Sequence, residues 1–69
     1  MKAKWKNAPA WAQWWVRDLD GFEWWHENEP AWKYEMEFWY SGGPSRQLAL
    51  AYRPPPGVNV PRAKGCRPI

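Results

Sequence analysis

The sequence predicts an α+β fold: a short N-terminal helix packed on a three-stranded antiparallel β-meander, followed by an extended, Pro-rich C-terminal tail. Three observations predict it. Trp11, Trp14, Trp15 and Leu19 recur at the spacing of one helix face. Three later segments alternate apolar and polar residues with the period of a strand. Clusters of Gly, Pro, Asn, Asp and Ser separate those segments, as turns do.

The elements follow in order. Residues 1–8 are read as a flexible basic N-terminus carrying Lys2, Lys4 and Lys6. Asn7 is a natural helix N-cap and Pro9 suits a first helical turn, so the helix is placed over residues 9–18. Asp20-Gly21 ends it, because Gly accepts the left-handed backbone of a chain reversal without a Cβ clash. Phe22 to Glu27 is the first strand. Asn28-Glu29-Pro30-Ala31 turns the chain, since Pro30 has no N–H for a central ladder.

Trp32 to Tyr40 is the second strand and the strongest signal. Trp32, Tyr34, Met36, Phe38 and Tyr40 alternate with Lys33, Glu35, Glu37 and Trp39. Pairing Trp24 with Met36, His26 with Tyr34 and Phe22 with Phe38 puts the apolar residues on one face. Ser41 to Ser45 is a loop, and Gln47 to Arg53 the third strand. One domain therefore spans residues 9–53. Residues 54–69, opening on Pro54-Pro55-Pro56-Gly57, form an extended or disordered basic tail.

Composition narrows the function classes. The chain has 69 residues, with eight Trp, three Tyr and two Phe. Three Leu, three Val and one Ile are too few to build a core, so aromatics must build it. Loss of one buried Trp then costs about 3–5 kcal/mol. The length excludes a multi-domain enzyme and a cofactor-binding α/β fold, and no apolar run is long enough for a bilayer span. Cys66 is alone and cannot close an intrachain disulfide, which favours a reducing cytoplasm. The Lys-rich start is a poor signal sequence, so no targeting segment is expected.

Charge is segregated. Residues 7–40 hold all seven acids against Arg17 and Lys33, whereas residues 41–69 hold five cations and no acid. This pattern, more than the net charge of +3, bears on partners. The acids lie among the aromatics and would repel a phosphate backbone. Arg53, Arg62, Lys64 and Arg67 could contact phosphates or an acidic partner.

Chemistry-bearing clusters are sparse. His26 beside Glu23 and Glu27 could act as a base, but no second His and no Cys pair complete a metal site. There is no phosphate-binding Gly-rich loop and no nucleophile motif, and no base accompanies Cys66. No cofactor, no metal and no catalytic residue are assigned, and the reading is non-enzymatic. Trp25 and Trp39 fall on the charged face of their strands. With Glu35, Glu37 and Tyr40 they form the expected partner-binding patch, because exposed Trp and Tyr mark contact surfaces.

Trp11-Ala12-Gln13-Trp14, Asp18-Leu19-Asp20-Gly21 and Trp24-Trp25-His26-Glu27-Asn28-Glu29-Pro30 resemble the motifs of a loose group of small Trp-rich proteins encoded by tailed phages and prophages. The resemblance covers about residues 9–40. It transfers no catalytic residue. It implies a phage accessory protein that binds a bacterial host protein in the host cytoplasm, as an inhibitor, a counter-defence factor or a species that defences sense. The alternative from the residues is a single-stranded nucleic-acid binder using aromatics and basic termini. Surplus aromatics on a small core are also compatible with a homodimer. A membrane-active role is disfavoured by the prolines and the acidic middle.

Overall fold

Strand β1, Trp14–Arg17, and strand β2, Glu23–His26, form the centre of the molecule as an antiparallel hairpin. Its register sets Trp14 against His26, Trp15 against Trp25, Val16 against Trp24 and Arg17 against Glu23. The reversal is a tight loop. Asp18 N donates to Phe22 O, Gly21 N donates to Asp18 O, and Gly21 sits at φ 89°. A short hairpin loop with Gly in the left-handed region matches the twist of the strands it joins.

The computed structural model describes residues 4–50 and 61–68. Within them the chain continues through β3, Ala31–Lys33, β4, Phe38–Tyr40, β5, Gln47–Ala49, and β6, Ala63–Cys66. β5 pairs with β2 and β6 with β1, all antiparallel, giving a four-stranded sheet in the order β5-β2-β1-β6. β3 and β4 form a separate two-stranded sheet.

This corrects the α+β expectation. The protein is mostly β, with six strands in two antiparallel sheets among the described residues, and its only helical element there is a single 3-10 turn at Trp5–Asn7. The expected helix over residues 9–18 is a turn at Pro9–Ala12, closed by Ala12 N donating to Pro9 O, followed by β1. The helical spacing of Trp11, Trp14 and Trp15 is incidental. β1 is covered on both faces, and a strand of that kind carries no alternation to mark it.

The nine-residue strand over 32–40 is also corrected. Tyr34–Glu37 form a four-residue turn, with Glu37 N donating to Lys33 O at 2.7 Å, and β3 and β4 fold back on each other. The pairing is Ala31 with Tyr40, Trp32 with Trp39 and Lys33 with Phe38. Trp32 and Trp39 therefore share a face, although they stand on opposite faces of a continuous strand. The expected pairs Trp24–Met36, His26–Tyr34 and Phe22–Phe38 do not form, because β2 pairs with β1 and β5. The third expected strand is present as β5; Ala51, Tyr52 and Arg53 lie outside the described residues. Residues 63–66, read as part of the tail, form the edge strand β6.

Two layers close the sheet. One face presents Trp15 and Trp25, and the N-terminal segment covers it. Ala12, Trp15 and Trp25 are buried together, with Trp5, Ala8, Trp11, Leu50 and Ala63 packed against them. The Trp5 and Trp25 rings lie 4.9 Å apart. The opposite face presents Trp14, Val16, Trp24 and His26 to the β3–β4 hairpin. Trp39 of that hairpin donates its indole N–H to the Arg17 carbonyl at 2.9 Å.

Candidate functional site

Arg53, Arg62, Lys64 and Arg67 are the cations expected to be available for phosphates or acids. Three of them lie among the described residues, and each is placed over aromatic rings. The Arg62 guanidinium sits 4.7 Å from the Trp32 ring centroid, 5.5 Å from Tyr34 and 5.9 Å from Trp39. Lys64 lies 5.4 Å from Trp14 and 5.8 Å from Trp39, and its ammonium reaches Glu29 at 3.1 Å. Arg67 lies over Trp5 and donates to the Pro9 and Ala12 carbonyls. Arg53 is outside the described residues.

The pattern extends beyond these three. Arg17 sits over Trp15, Lys33 over Tyr40 and Arg46 over Trp11. Six of the eight cations among the described residues therefore face a ring. The negative face of each ring attracts the charge. A Trp-rich, aliphatic-poor chain gains packing this way, because the long stems of Arg and Lys cover indole surface that little else can cover. Arg46 also pairs with Glu27 at 2.7 Å, which holds the Glu27 carboxyl below its ordinary value and raises Arg46.

The expected partner-binding residues separate. Trp25 is 3% exposed and belongs to the core, so it offers no contact surface. Its position beside Glu23 does not mark a solvent face, because Glu23 is buried too. Trp39 is half-buried, donates to the Arg17 carbonyl and carries Arg62 and Lys64 over its ring. Glu35, Glu37 and Tyr40 do stay together on the β3–β4 hairpin, and all three are exposed.

The hairpin adds two residues that the sequence reading placed on an apolar sheet face. Tyr34 is 74% exposed and Met36 70%. They share the turn with Glu35 and Glu37, so the tip alternates aromatic, acid, thioether and acid. No Gly, Pro, Asn or Asp marks residues 34–37 as a turn, and their alternation reads as strand. Glu37 supplies the left-handed position itself, at φ 55°.

A cleft of about 380 Å³ opens between the hairpin and the sheet. Trp24 and His26 of β2, Asp18, and Phe38, Tyr40 and Ser41 contribute to its wall. His26 is 2% exposed and its Nδ1 lies 2.9 Å from Ser41 Oγ. Ser41 Oγ in turn donates to Ser45 Oγ at 3.1 Å, and Ser45 Oγ accepts the Asn28 N–H. This chain fastens the loop after β4 to the end of β2. Burial pushes the His26 pKa below its ordinary value. Asp18 is shifted the other way, chiefly by burial and then by the neighbouring charge of Asp20, with the Trp39 backbone and Trp24 side chain opposing. One of its oxygens, Oδ1, is buried with no hydrogen-bond partner among the described residues.

Among the described residues, no group of three or more His, Cys, Asp and Glu side chains could hold a metal ion, and no helix is long and apolar enough to cross a membrane. Cys66 is a free, exposed thiol on β6. The fold and its surface define a small antiparallel β module stabilised by cations stacked on indoles. Comparison with family models, curated proteins and solved structures found no match. The functional argument therefore rests on the chain's own surface.

Proposed function

We propose that the protein is a non-enzymatic binding module that engages another protein through the tip of the β3–β4 hairpin. One observation carries the reading: Tyr34 and Met36 project from the turn at 74% and 70% exposure, alternating with Glu35 and Glu37. Aromatic anchors dominate binding energy at protein interfaces, and the flexible thioether of Met adapts to a partner's surface. Arg62 lies against the Tyr34 ring, so this anchor is partly ordered before binding. Tyr40 continues the surface along β4. Glu35 and Glu37 select a partner whose apolar recess is rimmed by cations. The resemblance to phage accessory proteins makes that partner a bacterial host protein met in the host cytoplasm.

The test is retention of one protein at equal stoichiometry from nuclease-treated bacterial lysate. Tyr34→Ala with Met36→Ala should abolish retention while leaving the circular dichroism spectrum unchanged. Retention that survives the double substitution removes the hairpin tip from the interface. Retention that disappears with nuclease, together with salt-sensitive binding to single strands, replaces the protein partner with nucleic acid.

A further inference from the structure

The cleft between hairpin and sheet is walled by four aromatic rings, Trp24, Phe38, Trp39 and Tyr40. Two of its rings already carry the protein's own cations, Arg62 and Lys64 over Trp39 and Lys33 over Tyr40. Trp24 and Phe38, which line the cleft, face no cation among the described residues. Among the described residues, neither Lys nor Arg lines the cleft. The one carboxylate among its described lining residues is Asp18, which has no ion-pair partner among the described residues. Carboxylate and aromatic surface around a half-open cleft are the two elements that recognise an organic cation: the first supplies a counter-charge, the second a ring quadrupole and an apolar wall.

We propose that this cleft binds a monovalent organic cation, an alkylammonium or guanidinium group, with Asp18 as counter-ion and Trp24 and Phe38 as its aromatic walls. His26 lies in the wall and is held neutral at neutral pH by burial, so it brings no competing charge. The cation extends to Trp24 and Phe38 the contact that the protein's own side chains make on eight other rings. It can be a free amine or the cationic side chain of a partner protein; both present the same chemistry. The inference goes beyond the hairpin-tip reading and does not depend on it.

The experiment uses the full chain alone. Choline, its neutral isostere 3,3-dimethylbutan-1-ol, and Nα-acetylarginine amide are titrated separately while the indole N–H resonances are followed by NMR. A saturable shift of the Trp24 indole with choline or the arginine amide is expected, with the neutral isostere at least about tenfold weaker. Asp18→Asn should lower cation affinity by roughly tenfold, and Phe38→Leu should lower it severalfold, with the spectrum otherwise preserved. Preference for the arginine amide assigns the site to a partner side chain, and preference for choline to a free amine. No saturable shift with either cation, or an equal response to the neutral isostere, overturns the proposal. Because no partner is present, either outcome leaves the hairpin-tip reading to stand or fall by its own test.

Discussion

Arg17 and Glu23 stand directly opposite each other across β1 and β2, with Arg17 Nε 3.8 Å from Glu23 Oε2 and each side chain 7% exposed. Glu23 also accepts the Trp15 indole N–H at 2.9 Å, and the Arg17 guanidinium lies over the Trp15 ring. A core so poor in aliphatics is thus closed by a charge pair that both members share with one Trp. Removing one member of such a pair leaves the other charge buried and costs about 3–5 kcal/mol.

Glu23→Gln isolates that effect, since Gln still offers Trp15 an acceptor while Arg17 loses its counter-charge. Its urea midpoint should fall steeply. Arg17 Nη2 has no partner among the described residues, so Arg17→Met in the Glu23→Gln background removes an unpaired charge and should recover most of the loss. A double variant no more stable than Glu23→Gln alone would show that the two side chains are not coupled.

The cleft residues make stability depend on pH with two opposite signs. His26 has a folded pKa below its ordinary 6.5 because burial disfavours the charged ring. The unfolded chain therefore binds the proton first, and stability present above 6.5 declines as the pH falls through the folded value. Asp18 is raised above 3.8, so its ionisation opposes folding at neutral pH and its protonation restores stability on acidification. Glu27, lowered by Arg46, adds a loss as the pH falls below 4.5. His26→Gln should flatten the decline just below 6.5. Asp18→Asn should stabilise the protein at neutral pH, with a gain that vanishes near 3.8. Thermal unfolding of the three proteins across this range reads both effects, and a decline that persists in His26→Gln assigns it to another group.

What the sequence reveals of this fold follows from which elements carry local signals. The reversal at Asp20-Gly21 is legible because Gly21 adopts a backbone that a side chain resists, although a hairpin and a helix stop use the same signal. β2 and β5 are legible as strands flanked by turn residues. β1 is not: Trp14, Trp15, Val16 and Arg17 are all partly or fully buried, and a strand covered on both sides has no period. β6 contains Ala63, Lys64, Gly65 and Cys66, none of them strong strand formers, and it exists because β1 offers it a ladder. The candidate site was legible at Glu35, Glu37 and Tyr40 only. Trp25 reads as exposed only if its neighbour Glu23 faces water, which it does not, and Tyr34 and Met36 read as strand because their turn has no turn residues. The basic residues were visible as charges, but nothing local shows that a cation will lie on an indole far away in the chain.

Glu37 offers a direct test of the hairpin. Its φ of 55° is left-handed, where a side chain costs about 1–2 kcal/mol relative to the right-handed region. Glu37→Gly relieves that strain and returns part of the gain as unfolded-state entropy, leaving a net stabilisation of about 0.5–1 kcal/mol. For a domain this small the midpoint of thermal unfolding should rise by roughly 2–8 °C. A continuous strand over 32–40 would instead be weakened by Gly at this position. The same variant removes one acid from the binding tip, so partner retention should fall while stability rises, a divergence that a purely structural residue would not produce.

Arg62 decides between a charge held for phosphate and a charge held for the fold. It is exposed, yet its guanidinium faces Trp32, Tyr34 and Trp39 at once and so joins the segment before β6 to both strands of the hairpin. Exposed cation–π contacts contribute about 0.5–1 kcal/mol each, so Arg62→Ala should cost roughly 1–2 kcal/mol. Arg62→Lys keeps the charge but loses the planar face that stacks on several rings, and should cost an intermediate amount. Urea unfolding followed by Trp fluorescence measures both, and the emission of Arg62→Ala should shift to the red as Trp32 and Trp39 meet water. An Arg62 held only for phosphate would leave both variants as stable as the parent, because a solvated guanidinium contributes nothing to folding when its ligand is absent.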